Sequence, residues 1–133
     1  MLSDKNLNIV SWLLMAGLLA WFAYFKGWIF ADFTNISPQD AHKWLSSPNK
    51  IVLIDVRSKK EFERDHIAGA RHIPMSLIET ESIRDGEILV YSERGERSVK
   101  ASRILSRRGY QGVSNLEGGV VFWIRAGYKV TND

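Results

Sequence analysis

The sequence predicts an α/β fold: a parallel sheet flanked by helices on both faces, preceded by one N-terminal transmembrane helix. Three observations carry this. Residues 7–25 are apolar and free of formal charge, and Ile51–Ile54 and Ile88–Tyr91 are continuous runs rich in aliphatic side chains, as in strands buried on both faces. Helix-forming segments alternate with these and weaker strands, which implies parallel pairing.

The N-terminal stretch LNIVSWLLMAGLLAWFAYF spans Leu7 to Phe25. As a helix it reaches roughly 28 Å, close to the hydrocarbon thickness of a bilayer. Asn8 and Ser11 lie near one end, while Tyr24, Lys26 and Trp28 form an interfacial cluster at the other. A cleaved signal peptide favours a basic start and a small-residue cleavage site, neither of which is present. A helix lying flat on the membrane needs a charged face, also missing. The expected organisation is therefore an anchor and short join over 1–34 and a domain over 35–133. The apolar join Gly27–Asn35 should hold that domain close to the headgroups. Lys26 and Lys43 after the span outnumber Lys5 before it, which favours a cytoplasmic domain.

In the soluble part, Ser37-Pro38 reads as an N-cap followed by proline at the first helical position, opening a helix to about Leu45. The strand Ile51–Ile54 leads into Asp55-Val56-Arg57. Ser58 and Glu61 then have the spacing of a capping box for a helix expected to stop near Ile67–Gly69. A short strand at Ala70–Ile73 and an irregular stretch over 75–83 follow. Asp85-Gly86 makes a turn into the strand Glu87–Tyr91, and Ser92–Arg97 is a polar loop before a helix over Ser98–Arg108. Val113–Leu116 is the last strand, Gly118-Gly119 a turn, and Val120–Ala126 a short helix with Trp123 facing inward.

Composition narrows the function. The net charge of +3 lies entirely beyond residue 34, because Asp4, Lys5, Lys26 and Asp32 cancel. Without a basic run interleaved with aromatics, no nucleic-acid partner is expected. The absence of cysteine excludes disulfides, thiolate zinc sites and thiol chemistry. His66 and His72 lack a helical i, i+4 spacing and an obvious third ligand, so no metal and no cofactor is expected.

The unit from Glu87 to Arg108 carries the functional signal. In parallel α/β folds ligands bind beyond the carboxyl ends of the strands. A glycine-containing loop leading into a helix directs backbone N–H groups and positive dipole potential at one spot. Ser92, Glu93, Arg94, Gly95, Glu96, Arg97 and Ser98 form such a loop, and it lacks the lysine of a P-loop. Four segments in order, LIDVRSKKEFERDHIAGARHIP (53–74), VYSERGERS (90–98), ASRIL with Gly109-Tyr110, and LEGGVVFW (116–123), make the chain from about Ile36 to Val130 resemble a single-domain rhodanese.

The resemblance implies sulfur transfer in active relatives. A cysteine at the first position of a C-x-x-G-x-R loop takes the outer sulfur of thiosulfate or a similar donor, and an acceptor then removes it. Here that position is Ser92. Oxygen cannot replace sulfur in a persulfide, and an alcohol needs a general base that the loop does not supply. What the resemblance still implies is binding of a small anion such as thiosulfate or sulfate by backbone N–H groups and Arg97, with Asp55 and Arg57 supporting the sheet edge.

Three readings fit the sequence. One is a membrane-anchored, anion-binding rhodanese-like domain inactive as a sulfurtransferase. The second is a sulfurtransferase whose cysteine has been substituted, and the third a membrane adaptor contacting an unidentified protein. Against these, Ser92 on its own reads as a strand-ending polar residue, and Lys100, Arg103 and Arg107 as a solvated helix face.

Overall fold

The computed structural model describes residues 3–25 and 33–133. Lys26, Trp28 and most of the join, with its expected closeness to the headgroups, lie outside the described residues. The chain divides into two compact units, Met1–Ala31 and Asp32–Asp133.

In the first unit, Asp4–Phe25 forms one helix (α1) of 22 residues with no buried side chain, long and apolar enough to cross a bilayer. Trp12, Leu13, Leu14 and Leu18 are among its exposed apolar groups.

The second unit holds a five-stranded sheet, all parallel, in the order β1-β5-β4-β2-β3. Its elements are β1 (Thr34–Ile36), α2 (Pro38–Ser46), β2 (Ile51–Asp55), α3 (Lys59–Arg64), β3 (Arg71–His72), a 3-10 turn (Met75–Leu77), β4 (Glu87–Tyr91), α4 (Glu96–Arg107), β5 (Val113–Leu116) and α5 (Gly119–Arg125). The two aliphatic runs become the central pair, with Leu53 opposite Leu89 and Ile54 opposite Val90. Alternate residues of these strands enter opposite cores. Val52, Ile54, Ile88, Val90 and Val113 pack with Ala101 and Leu105 of α4. Leu53, Leu89, Tyr91 and Leu116 pack with Ala41 of α2 and with Val120 and Trp123 of α5. Helices therefore cover both faces, as the sequence predicts.

Four local expectations are corrected. The join does not run to Asn35, because Thr34–Ile36 forms an edge strand in register with Ser114–Leu116. Helix α3 stops at Arg64 rather than near Ile67–Gly69. Asp65 turns extended (φ −165°) and bonds Arg57, and His66 then pairs with Thr131 in an antiparallel bridge. Helix α4 starts at Glu96, not Ser98, because Gly95 adopts a left-handed conformation (φ 99°) that turns the chain into the helix early. Gly118 is an N-cap, and Gly119 already belongs to α5. The Ser37 cap and the Ser58–Glu61 capping box form as expected.

Candidate functional site

At the carboxyl end of β4 the chain leaves the sheet at Ser92, whose side chain is buried inside its own loop. Its Oγ accepts the N–H of Gly95 at 3.1 Å and of Ser98 at 3.2 Å. The hydroxyl proton goes to Ser98 Oγ at 3.1 Å, and Ser98 in turn donates to the Gly95 carbonyl at 3.1 Å. Both lone pairs and the proton of Ser92 are thus engaged. The relay ends on a backbone carbonyl, which cannot accept a proton as a base does.

The loop is held from behind by α5. The N–H groups of Val120 and Val121 donate to the carbonyls of Ser92 and Glu93 at 2.9 and 3.1 Å. A Cβ at Gly119 would collide with those same two carbonyl oxygens, so the approach requires glycine there.

Beside the loop, Arg57 is fully buried on an equally buried Asp55. Its Nε lies 3.1 and 3.0 Å from the two Asp55 oxygens, and its Nη2 is 2.8 Å from Oδ2. The other side of the guanidinium reaches Asp65 Oδ1 at 3.2 Å, the Asp65 carbonyl, and Glu93 Oε2 at 2.9 Å. Burial opposes the charge, but the carboxylates outweigh it and hold Arg57 protonated. The neighbouring Tyr91 hydroxyl is pushed well above its usual range by burial first and then by Asp55. It accepts the Ile67 N–H at 3.0 Å. Asp55 and Arg57 therefore clamp the loop through Glu93, which also takes Arg64 at 3.1 Å.

Of the two contacts the loop position of Arg97 favours, an anion or a carboxylate, the structure shows the carboxylate. The Arg97 guanidinium does not stand free for an anion; it forms two bonds to Glu61, at 2.7 and 2.8 Å. Glu61 is also the capping-box carboxylate, accepting the Ser58 N–H at 3.1 Å. Arg97 above all holds the Glu61 carboxyl down to about 2. A carboxyl depressed on folding stabilises the fold above its unfolded pKa, and that gain is lost as pH falls through the folded value. Stability should thus decline between about pH 4.5 and 2, and Glu61→Gln should flatten that part of the profile in urea titrations. Because Arg97 is over a third exposed, solvent screening limits the effect to about 1 kcal/mol.

Ser92, Gly95 and Ser98 come together at the loop centre, and Glu93 and Arg97 turn outward to ion pairs. Arg94 and Glu96 are exposed at the rim. The N–H groups of Arg94, Glu96 and Arg97 have no acceptor among the described residues. His66 and His72 bond the carbonyls of Phe62 and Arg57, each at 2.7 Å. Sequence reasoning placed Ser98 in the loop without its bond to Ser92, and missed the partners Glu61 and Asp65. The Ser58-x-x-Glu61 spacing exposes the cap but not its second use.

Over residues 37–126 the sequence matches the rhodanese-like domain family. It is 35% identical over 97 residues to the probable adenylyltransferase/sulfurtransferase MoeZ of Mycobacterium tuberculosis, covering 69% of this chain and 25% of that protein. This chain thus matches only about a quarter of that relative's length. A sulfurtransferase of Allochromatium vinosum is 31% identical over 98 residues, covering 71% of this chain and 92% of the relative. The fold is similar to that of a rhodanese-related protein from Thermoplasma volcanium, with TM-score 0.68, 28% identity, and 75% and 99% of the two chains covered. It is also similar to a rhodanese-like domain protein from Staphylococcus aureus, with TM-score 0.63, 26% identity, and 68% and 90% covered.

Proposed function

Because the chain belongs to the rhodanese-like domain family, whose members include sulfurtransferases, we propose that it is a membrane-anchored member that binds a small oxyanion at residues 92–98 without transferring sulfur. The observation that carries this reading is the closed hydrogen bonding of Ser92. Its hydroxyl sits where active relatives need a thiolate, and its proton is committed to Ser98 rather than to a base. A nucleophilic alcohol requires a base within hydrogen-bond reach. Anion binding then falls to the N–H groups of Arg94, Glu96 and Arg97 at the start of α4, with thiosulfate or sulfate as the fitting class. Ser92 consumes two N–H donors and Glu61 consumes the Arg97 side chain, so this cradle is weaker than the sequence alone implies.

The decisive assay is thiosulfate:cyanide sulfurtransferase turnover by the chain as it stands. No thiocyanate above background is expected, and robust turnover with Ser92 intact would refute the reading.

Anchoring through α1 is the second part of the proposal, supported by its length and by apolar side chains exposed all around it. The chain should stay with membranes through high-salt and alkaline washes and leave only with detergent. Recovery in the soluble fraction would overturn the span. Lysine placement favours a cytoplasmic domain, so protease should reach residues 35–133 only from that side.

A further inference from the structure

Helix α4 leaves the β1–β5 edge of its own sheet face uncovered, and a cleft of about 490 Å³ runs there, lined in part by Arg94, Gly95 and Glu96 of the loop but not by Ser92. Its floor includes Asn115 of β5, which shares the face of Val113, and Asn35 opposite it on β1. Arg94, Lys100 and Arg103 line it. Around the loop centre, Arg57, Arg64 and Arg97 are all paired with carboxylates. These three cations, by contrast, form no ion pair among the described residues, and Arg103 meets only the ring of Phe33, at 5.9 Å. Glu96 and Glu117 also line the cleft; neither forms an ion pair with the three cations, although Glu96, four residues before Lys100, shares its helix face.

The floor carries a second unmet demand. Asn115 is 3% exposed, and its Nδ2 donates to Asn35 Oδ1 at 3.0 Å. Its own Oδ1 is buried with no partner. Turning both amides over exchanges the orphan acceptor for an orphan donor, so one unmet amide atom persists either way. A fully ionised phosphate offers acceptors alone. A peptide backbone offers N–H and C=O in alternation and meets either orientation.

Charge spacing points the same way. Lys100 and Arg103 are neighbours on the helix surface, roughly 4.5 Å apart along the axis, and Arg94 stands just before the helix start. Alternate side chains of an extended strand repeat at about 6.6 Å on one face, so carboxylates at alternate positions can meet Arg94 at one end of the cleft and the pair Lys100 and Arg103 along it. From these features we infer that the cleft between α4 and the β1–β5 edge docks an extended acidic segment of a partner protein. This inference does not depend on whether the loop transfers sulfur.

The test uses the full chain in detergent micelles and a fluorescein-labelled decapeptide with glutamate at alternate positions, read by anisotropy. The glutamine counterpart should bind about tenfold more weakly, and Lys100→Gln/Arg103→Gln should weaken the glutamate peptide by about the same factor. Both side chains are exposed, and an unchanged thermal unfolding curve shows that the variant folds. Lys59→Gln, at an exposed position outside the cleft, should bind normally. Equal binding of the two peptides, an unaffected double variant, or no binding at millimolar peptide would overturn the inference. So would complete displacement by millimolar inorganic phosphate, which would mark the cleft as a simple anion site.

Discussion

Replacing Ser92 with cysteine is expected to turn the chain into a sulfurtransferase, raising thiosulfate:cyanide turnover by a factor on the order of 10³ or more. The surroundings of a thiolate are already in place. The N–H groups of Gly95 and Ser98 that now meet Ser92 Oγ would meet Sγ, and the start of α4 adds positive potential. Both stabilise the anionic form and lower the thiol pKa toward neutrality. The thiolate then attacks the outer sulfur of thiosulfate, the sulfur–sulfur bond breaks, and sulfite leaves with the electron pair. Cyanide attacks the outer sulfur of the persulfide, releasing thiocyanate and restoring the thiolate. Serine can enter neither step, because its proton is held by Ser98 and no base is at hand. An intact-mass gain of one sulfur after thiosulfate treatment checks the first step separately. If Ser92→Cys folds yet neither gains that sulfur nor turns over, the loop is no vestige of a transferase site and the adaptor reading takes precedence.

Most of the fold was legible because its strongest signals are local. The runs at 51–54 and 88–91 have no polar face to offer solvent, so they had to be central strands. Ser37-Pro38 and Ser58-x-x-Glu61 carry their helix starts within four residues. Strand β1 escaped because Thr34-Asn35-Ile36 has no pattern of its own and owes its conformation to β5, some eighty residues away. The start of α4 escaped because a left-handed glycine fixes it rather than a capping side chain. At the site, the position of Ser92 followed from the family resemblance and its expected inertness from the missing base, while the closed bonding of its hydroxyl required seeing Ser98. The partner of Arg97 was hidden in the same way. A basic residue in a loop looks available until Glu61, 36 residues earlier, is found holding it.

Replacing Arg57 with methionine should be the most destabilising single change at the site, costing about 3–5 kcal/mol in urea unfolding of the full chain in detergent micelles. Asp55 and Arg57 are both fully buried, so removing the cation strands a carboxylate that water cannot reach. It also releases the Glu93 carboxylate, leaving that side chain tied only to the exposed Arg64. The pair need not favour stability outright, since taking two charges out of water is itself costly. The double variant Asp55→Asn/Arg57→Met separates these effects. Asparagine keeps the acceptor for the Arg57 backbone N–H, now 2.9 Å from Asp55 Oδ1, while removing the stranded charge. The double variant should therefore recover most of the loss, and the coupling between the two positions should exceed about 1 kcal/mol. Additive losses would show that Arg57 acts chiefly by packing against Tyr91 and by bonding Asp65 and Glu93. A loss below about 1 kcal/mol for Arg57→Met would mean that water reaches Asp55, and that the clamp on the loop is not what holds it in place.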